Sequence, residues 1–180
     1  MRAAWKVRAA VPAALGLMSL GLNACGAPLL AESTATGCEH ASLMARWHKP
    51  SQSVAAAPSG ELDAPLLMTE QPYRVQLAPC DSPGAAGSRE LQFECRVGSY
   101  VAAVRFTVPR DGRYRVAVDA PVWIDWLSNG RKVDGLMCEH SGCLPVRKMV
   151  QFESEAGEHW LRFEFKQPIG VGFLVNRVDQ

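Results

Sequence analysis

Residues 98–119, GSYVAAVRFTVPRDGRYRVAVD, constrain the fold more than any other stretch. Tyr100, Ala102, Val104, Phe106 and Val108 share one parity and Arg105 and Thr107 take the other, the pattern of a half-buried strand. Pro109-Arg110-Asp111-Gly112 supplies turn chemistry. The alternation then resumes, with Tyr114, Val116 and Val118 inward and Arg113, Arg115 and Asp119 outward. This reads as a β-hairpin. Its four arginines, Arg105, Arg110, Arg113 and Arg115, then share a polar face, either solvated or turned to an anionic partner.

A looser copy follows in VQFESEAGEHWLRFEFK, residues 150–166, with Val150 and Phe152 before Gly157 and Leu161, Phe163 and Phe165 after it. Further strands are predicted over 73–77, 91–97, 122–127 and 171–178, with Ser128-Asn129-Gly130 as a turn. Short strands between turns, with no long helical period, predict an all-β fold, an antiparallel β-sandwich. The repeated pattern from Phe106 to Val118 and from Phe152 to Phe163 resembles bacterial pre-peptidase C-terminal domains and their jelly-roll relatives, over residues 99–178. That resemblance implies a jelly-roll-like sandwich acting in binding or export. It lends no functional residue, because the cysteines differ and a run of aspartates for calcium is lacking.

The N-terminal part is of another kind. Arg2, Lys6 and Arg8 precede an apolar run from Ala9 to Leu22, the layout of a secretory signal and too short to span a bilayer. Leu22-Asn23-Ala24-Cys25 resembles the bacterial lipobox, which implies lipidation of Cys25, and Gly26 after it implies sorting to the outer membrane. Cleavage near Ala24 or Ala27 without lipidation is the alternative. Residues 1–24 are thus a signal peptide, 25–62 a lipid-attached tether and irregular lead-in, and 63–180 the sandwich. The expected address is the cell envelope, as an outer-membrane lipoprotein or a protein secreted to the periplasm. Of the 19 Lys and Arg, three lie in the signal, which leaves 16 against 18 Asp and Glu and gives no sign of a nucleic-acid partner.

Chemistry concentrates in MCEHSGC, residues 137–143, whose Cys-Glu-His also occurs as Cys38-Glu39-His40. In an exported chain, cysteines that can meet become oxidised. Cys80 with Cys95, and Cys138 with Cys143, are the disulfide candidates, and Cys38 is then left over if Cys25 carries lipid; without lipid, the six cysteines could form three bridges. The competing expectation is a copper or zinc site from Cys138, His140 and Cys143, completed by Cys38, His40 or His48 if the lead-in folds back. A short helix over 40–48 would set His40, Met44 and His48 on one face.

Trp123, Asp125 and Trp126 offer a ligand surface, in which tryptophan stacks on a sugar ring and the carboxylate accepts its hydroxyls. Three positions apart on a strand, the two tryptophans point to opposite faces, so at least one belongs to the core. Trp160 faces outward by parity. No Gly-x-Ser-x-Gly, His-Glu-x-x-His or phosphate-loop signature occurs. The leading expectation is a non-catalytic, membrane-anchored binding or accessory module with an envelope protein or polysaccharide as partner. An envelope copper- or zinc-binding protein and a hydrolase are the alternatives.

Overall fold

A computed structural model describes residues 40–55, 66–80 and 96–178. One helix, α1 (Ala41–Trp47), precedes twelve strands: β1 (Gln52–Val54), β2 (Leu66–Met68), β3 (Pro72–Gln76), β4 (Ala78–Pro79), β5 (Tyr100–Val108), β6 (Gly112–Val118), β7 (Trp123–Ser128), β8 (Arg131–Val133), β9 (Met137–His140), β10 (Lys148–Ser154), β11 (Gly157–Phe165) and β12 (Gly170–Arg177). They form two packed sheets, β1-β3-β12-β6-β10-β9 (sheet A) and β2-β5-β11-β7-β8 with β4 beside β5 (sheet B). The fold is the expected all-β sandwich, but its sheets are mixed: β1 runs parallel to β3, and β2 parallel to β5.

The two expected hairpins are not hairpins. β5 pairs with β11 in sheet B, while β6 pairs with β10 and β12 in sheet A. Each glycine turn therefore carries the chain from one sheet to the other, with Gly112 at φ +144 and Gly157 at φ +137, values open to glycine and hard for other residues. Alternation reports which side of a strand faces the core and is silent on which sheet holds it, so a hairpin and an arch read alike. The two arches lie antiparallel on each other, Val108 opposite Gly157 and Gly112 opposite Ser154, and Asp111 Oδ1 accepts a 2.7 Å hydrogen bond from the Ala156 amide to tie them. The internal resemblance between 98–119 and 150–166 is the trace of this stacking.

With the short β4 and β9 set aside, the chain past β3 changes sheet at every step except β7 to β8, so β3-β12-β6-β10 faces β5-β11-β7-β8. This is the path of a jelly roll. The alternate residues of both sheets meet in one core. Trp126, fully buried, is its centre, with Phe106 edge-on at 4.8 Å, Phe152 at 5.1 Å and Tyr114 at 6.2 Å.

A second cluster lies on the outer face of sheet A, where Leu43 of α1 is buried against Ala117, Val146, Met149 and Leu174, with Met44 and Trp47 packed beside it. Leu43, Met44 and Trp47 form one apolar stripe on a short helix. Together with β1, this helix places residues of the lead-in within the body of the sandwich. The strand expected over 91–97 lies outside the described residues up to 95, and Val97 stands in a turn.

Candidate functional site

The alternation of WIDWLS sends Ile124 and Trp126 into the core and turns Trp123 and Asp125 to the outer face of sheet B. Trp126 is therefore no part of a ligand surface, whereas Trp123 remains 38% exposed. Across the β7–β11 ladder, Asp125 stands opposite Arg162 and Trp123 opposite Glu164. This pairing assembles a row of alternating charge. Glu164 lies 3.8 Å from Arg96 Nε and 2.8 Å from Arg162 Nη2, and Asp125 lies 3.2 Å from Arg162 Nη1 and 2.6 Å from Lys132 Nζ.

The middle of the row is buried and its ends are wet. Glu164, Arg162 and Asp125 have side chains 9%, 9% and 10% exposed, against 81% for Arg96 and 54% for Lys132. The carboxylates are thus enclosed while the accessible charge is cationic. Trp123 Nε1 donates to Asp125 Oδ1 at 2.9 Å, fixing the indole edge. The ammonium groups of Lys132 and Lys148 lie 5.3 and 5.8 Å from its ring centroid, within cation–π range. Lys148, nearly buried, donates to the Val122 carbonyl at 2.9 Å, and burial lowers its pKa, with Asp125 partly offsetting this. With its carboxylates held by N–H donors, the row is built to hold an aromatic plane and two exposed cations in place.

The expected metal ligands are not gathered. On β9, Cys138 pairs with Val150 and packs against the main core, while Glu139 pairs with Met149 toward the helix side. The lead-in does fold back, but it brings His40 to Glu139 at 3.4 Å and to Arg115 at 3.4 Å rather than to Cys138 or His140. Strand parity leaves Cys138 and His140 on one side of β9 and turns Glu139 to the other, where it meets His40. His140 and His48 are exposed, His48 at the far end of α1 from His40. Cys80, Cys138 and Cys143 are disulfide-bonded and offer no thiolate. Among the described residues no group of three or more His, Cys, Asp or Glu could hold a metal ion. Cys25, Cys38 and Cys95 lie outside the described residues.

The arginines read as one face are divided between the sheets. Arg105 on β5 meets Glu158 at 3.4 Å, whereas Arg113 on β6 lies 3.7 Å from Glu153 and Arg115 turns to His40.

An open groove of about 440 Å³ is lined by Ser128, Lys132, Glu153, Ser154 and Glu155, among others. Ser154 Oγ lies 3.2 Å from His159 Nε2, the distance of a nucleophile and its base. The same nitrogen is 2.9 Å from the Glu155 carbonyl, and Ser154 Oγ itself donates there at 3.1 Å. A carbonyl only accepts, so Nε2 carries the proton and cannot receive one from Ser154. Nδ1 is buried with no hydrogen-bond partner among the described residues, and burial lowers the His159 pKa. The pair serves as structure beneath the β10–β11 arch.

No protein-family model matches this chain, and no curated protein matches it. Among the described residues no helix is long and apolar enough to cross a membrane.

Composition pointed to Trp123, Asp125 and Trp126, and parity required one of the tryptophans to be core without saying which; Arg96, Lys132, Lys148, Arg162 and Glu164 escaped sequence reasoning as members of the site. Arg162 and Glu164 show the outward parity. What joins them to Asp125 is a strand pairing between sequence-distant segments, which has no local signal.

Proposed function

We propose that this protein is a non-catalytic binding module of the bacterial cell envelope, exported and held at the outer membrane by lipid on Cys25, with the outer face of sheet B as its working surface. The observation that carries the reading is an asymmetry. The outer face of sheet A is packed under α1 and much of the outer face of sheet B, at Val101, Ala103 and Leu127, is buried as well, whereas the Trp123 end of sheet B displays a partly exposed indole fixed by Asp125 and flanked by cations. A partly exposed aromatic plane in a prearranged polar frame is a costly way to finish a surface unless something binds it. Oxidised Cys80, Cys138 and Cys143 agree with export.

The test separates the anchor from the binding. The Cys25→Ser chain, produced without lipid, should sediment with isolated envelopes of the host, and Trp123→Ala should release it to the supernatant. A Cys25→Ser chain that stays in the supernatant, or that sediments equally well without Trp123, would refute the proposed surface.

A further inference from the structure

We infer that the outer face of sheet B takes an anionic polysaccharide, one sugar ring stacking on Trp123 while acidic groups along the chain meet Lys132 and Arg96. This rests on the reading of that face as a binding surface and adds the class of ligand. Three observations converge. The first is an aromatic ring, 38% exposed, whose Nε1–H is occupied by Asp125 at 2.9 Å and over which the Lys132 and Lys148 ammonium groups lie at 5.3 and 5.8 Å, so that what is on offer is the ring surface these cations leave open. Sugar C–H faces pack on such a surface.

The second is the segregation of charge. In the row Arg96, Glu164, Arg162, Asp125, Lys132, both carboxylates are about nine-tenths buried and every accessible charge is positive. An approaching carboxylate or sulfate meets ammonium and guanidinium and is kept from Asp125 and Glu164. The third is spacing. Asp125 and Glu164 are diagonal neighbours across the β7–β11 ladder, and Lys132 and Arg96 stand beyond them at opposite ends of the row, so the two cations are separated by both carboxylates and Arg162. That suits a polymer with repeated acidic groups better than one small anion.

An anionic bilayer shares the charge but fits the face less well. Trp123 is framed by Asp125, Lys132 and Glu164 rather than by apolar side chains that could enter a membrane; the exposed Leu66 and Met68 stand on β2 at the opposite edge of sheet B, and the exposed Leu136 and Met137 adjoin the edge of sheet A. The experiment is titration of the Cys25→Ser chain with oligogalacturonate, followed by tryptophan fluorescence and calorimetry. Dextran oligomers and phosphatidylglycerol vesicles are the comparisons. The expected result is saturable uronate binding that weakens as salt is raised and falls at least tenfold in Trp123→Ala and in Lys132→Glu, with neither dextran nor vesicles bound. Should Lys132→Glu fail to fold, Lys132→Gln, which keeps a donor for Asp125, and Arg96→Glu at the exposed end take its place.

Dextran binding of equal strength and no salt dependence would overturn the anionic assignment and leave the binding surface standing. Vesicle binding lost in the same variants, without uronate binding, would replace the glycan by lipid. Uronate binding indifferent to Trp123 and Lys132 would put the site elsewhere. Envelope retention with no affinity for uronate would sink this inference alone.

Discussion

Asp125 and Arg162 face each other across the β7–β11 ladder at 3.2 Å, and each side chain is about nine-tenths buried. Breaking a buried pair from one side leaves an uncompensated charge, whereas replacing both partners with apolar residues is far milder. Asp125→Ala should therefore destabilise the protein by about 3–5 kcal/mol. Because Arg162 also holds the buried Glu164 at 2.8 Å, it is the triple change Asp125→Leu, Arg162→Met and Glu164→Leu that should recover most of that loss. Urea unfolding of the two variants checks the difference.

The two tryptophans of β7 should part company in the same assay. Trp126→Ala empties the centre of the core and should cost about 3–5 kcal/mol. Trp123→Ala removes a partly exposed ring and one hydrogen bond and should cost roughly 1 kcal/mol. Equal losses would mean that Trp123 is a packing residue.

His159 should make the fold acid-sensitive. Burial lowers its pKa below the ordinary 6.5, so in the range between the two values the unfolded chain binds more protons than the folded one. Stability contributed by neutral His159 is present above pH 6.5 and declines as pH falls through that range. The thermal midpoint should drop more between about pH 7 and pH 5 than it does in His159→Phe, whose ring keeps the packing against Phe106 and Trp126 and cannot titrate.

Lys148 has the same sign at the alkaline end. Its folded pKa lies below 10.5, so stability rises with pH between the folded value and 10.5, as the buried ammonium loses its charge. Denaturation midpoints of wild type should climb relative to Lys148→Met as pH approaches 10.5. Parallel curves would place the Lys148 ammonium in contact with water.

Helix α1 belongs to the body and should behave so. Leu43 is 1% exposed, and Leu43→Ala should cost about 2–5 kcal/mol in unfolding free energy. A neutral outcome would return the lead-in to the role of a tether.

The strands of the core were legible because their chemistry is local. Alternation at Tyr100–Val108, Gly112–Val118 and Gly157–Phe165 needs only the sequence of one strand to show an inward face. The choice between hairpin and arch at Gly112 and Gly157 was not legible, since both use the same turn residues and differ only in which distant strand is met. Edge strands such as Gln52–Val54 and Arg131–Val133 are three residues long, too short to display a period. The candidate site divides likewise. Trp123, Asp125 and Trp126 declare themselves by composition, the strand's placement in sheet B decides that Trp126 is the core member, and Arg162 and Lys132 join the others only through cross-strand register. The cysteine–histidine loop drew attention for its residue types, but Cys138 and Cys143 are disulfide-bonded and the folded-back His40 meets Glu139, relationships that residue types alone do not show.

Fluorine NMR of the Cys25→Ser chain labelled with 5-fluorotryptophan tests the central claim residue by residue, with each resonance assigned by Trp→Phe substitution. On addition of solubilised envelope material, the account predicts that the Trp123 signal shifts or broadens with saturation, while Trp126 in the core and Trp47 under sheet A stay where they are. A saturable response at Trp47 with Trp123 unmoved would contradict it, and would place the working surface on the opposite side of the sandwich.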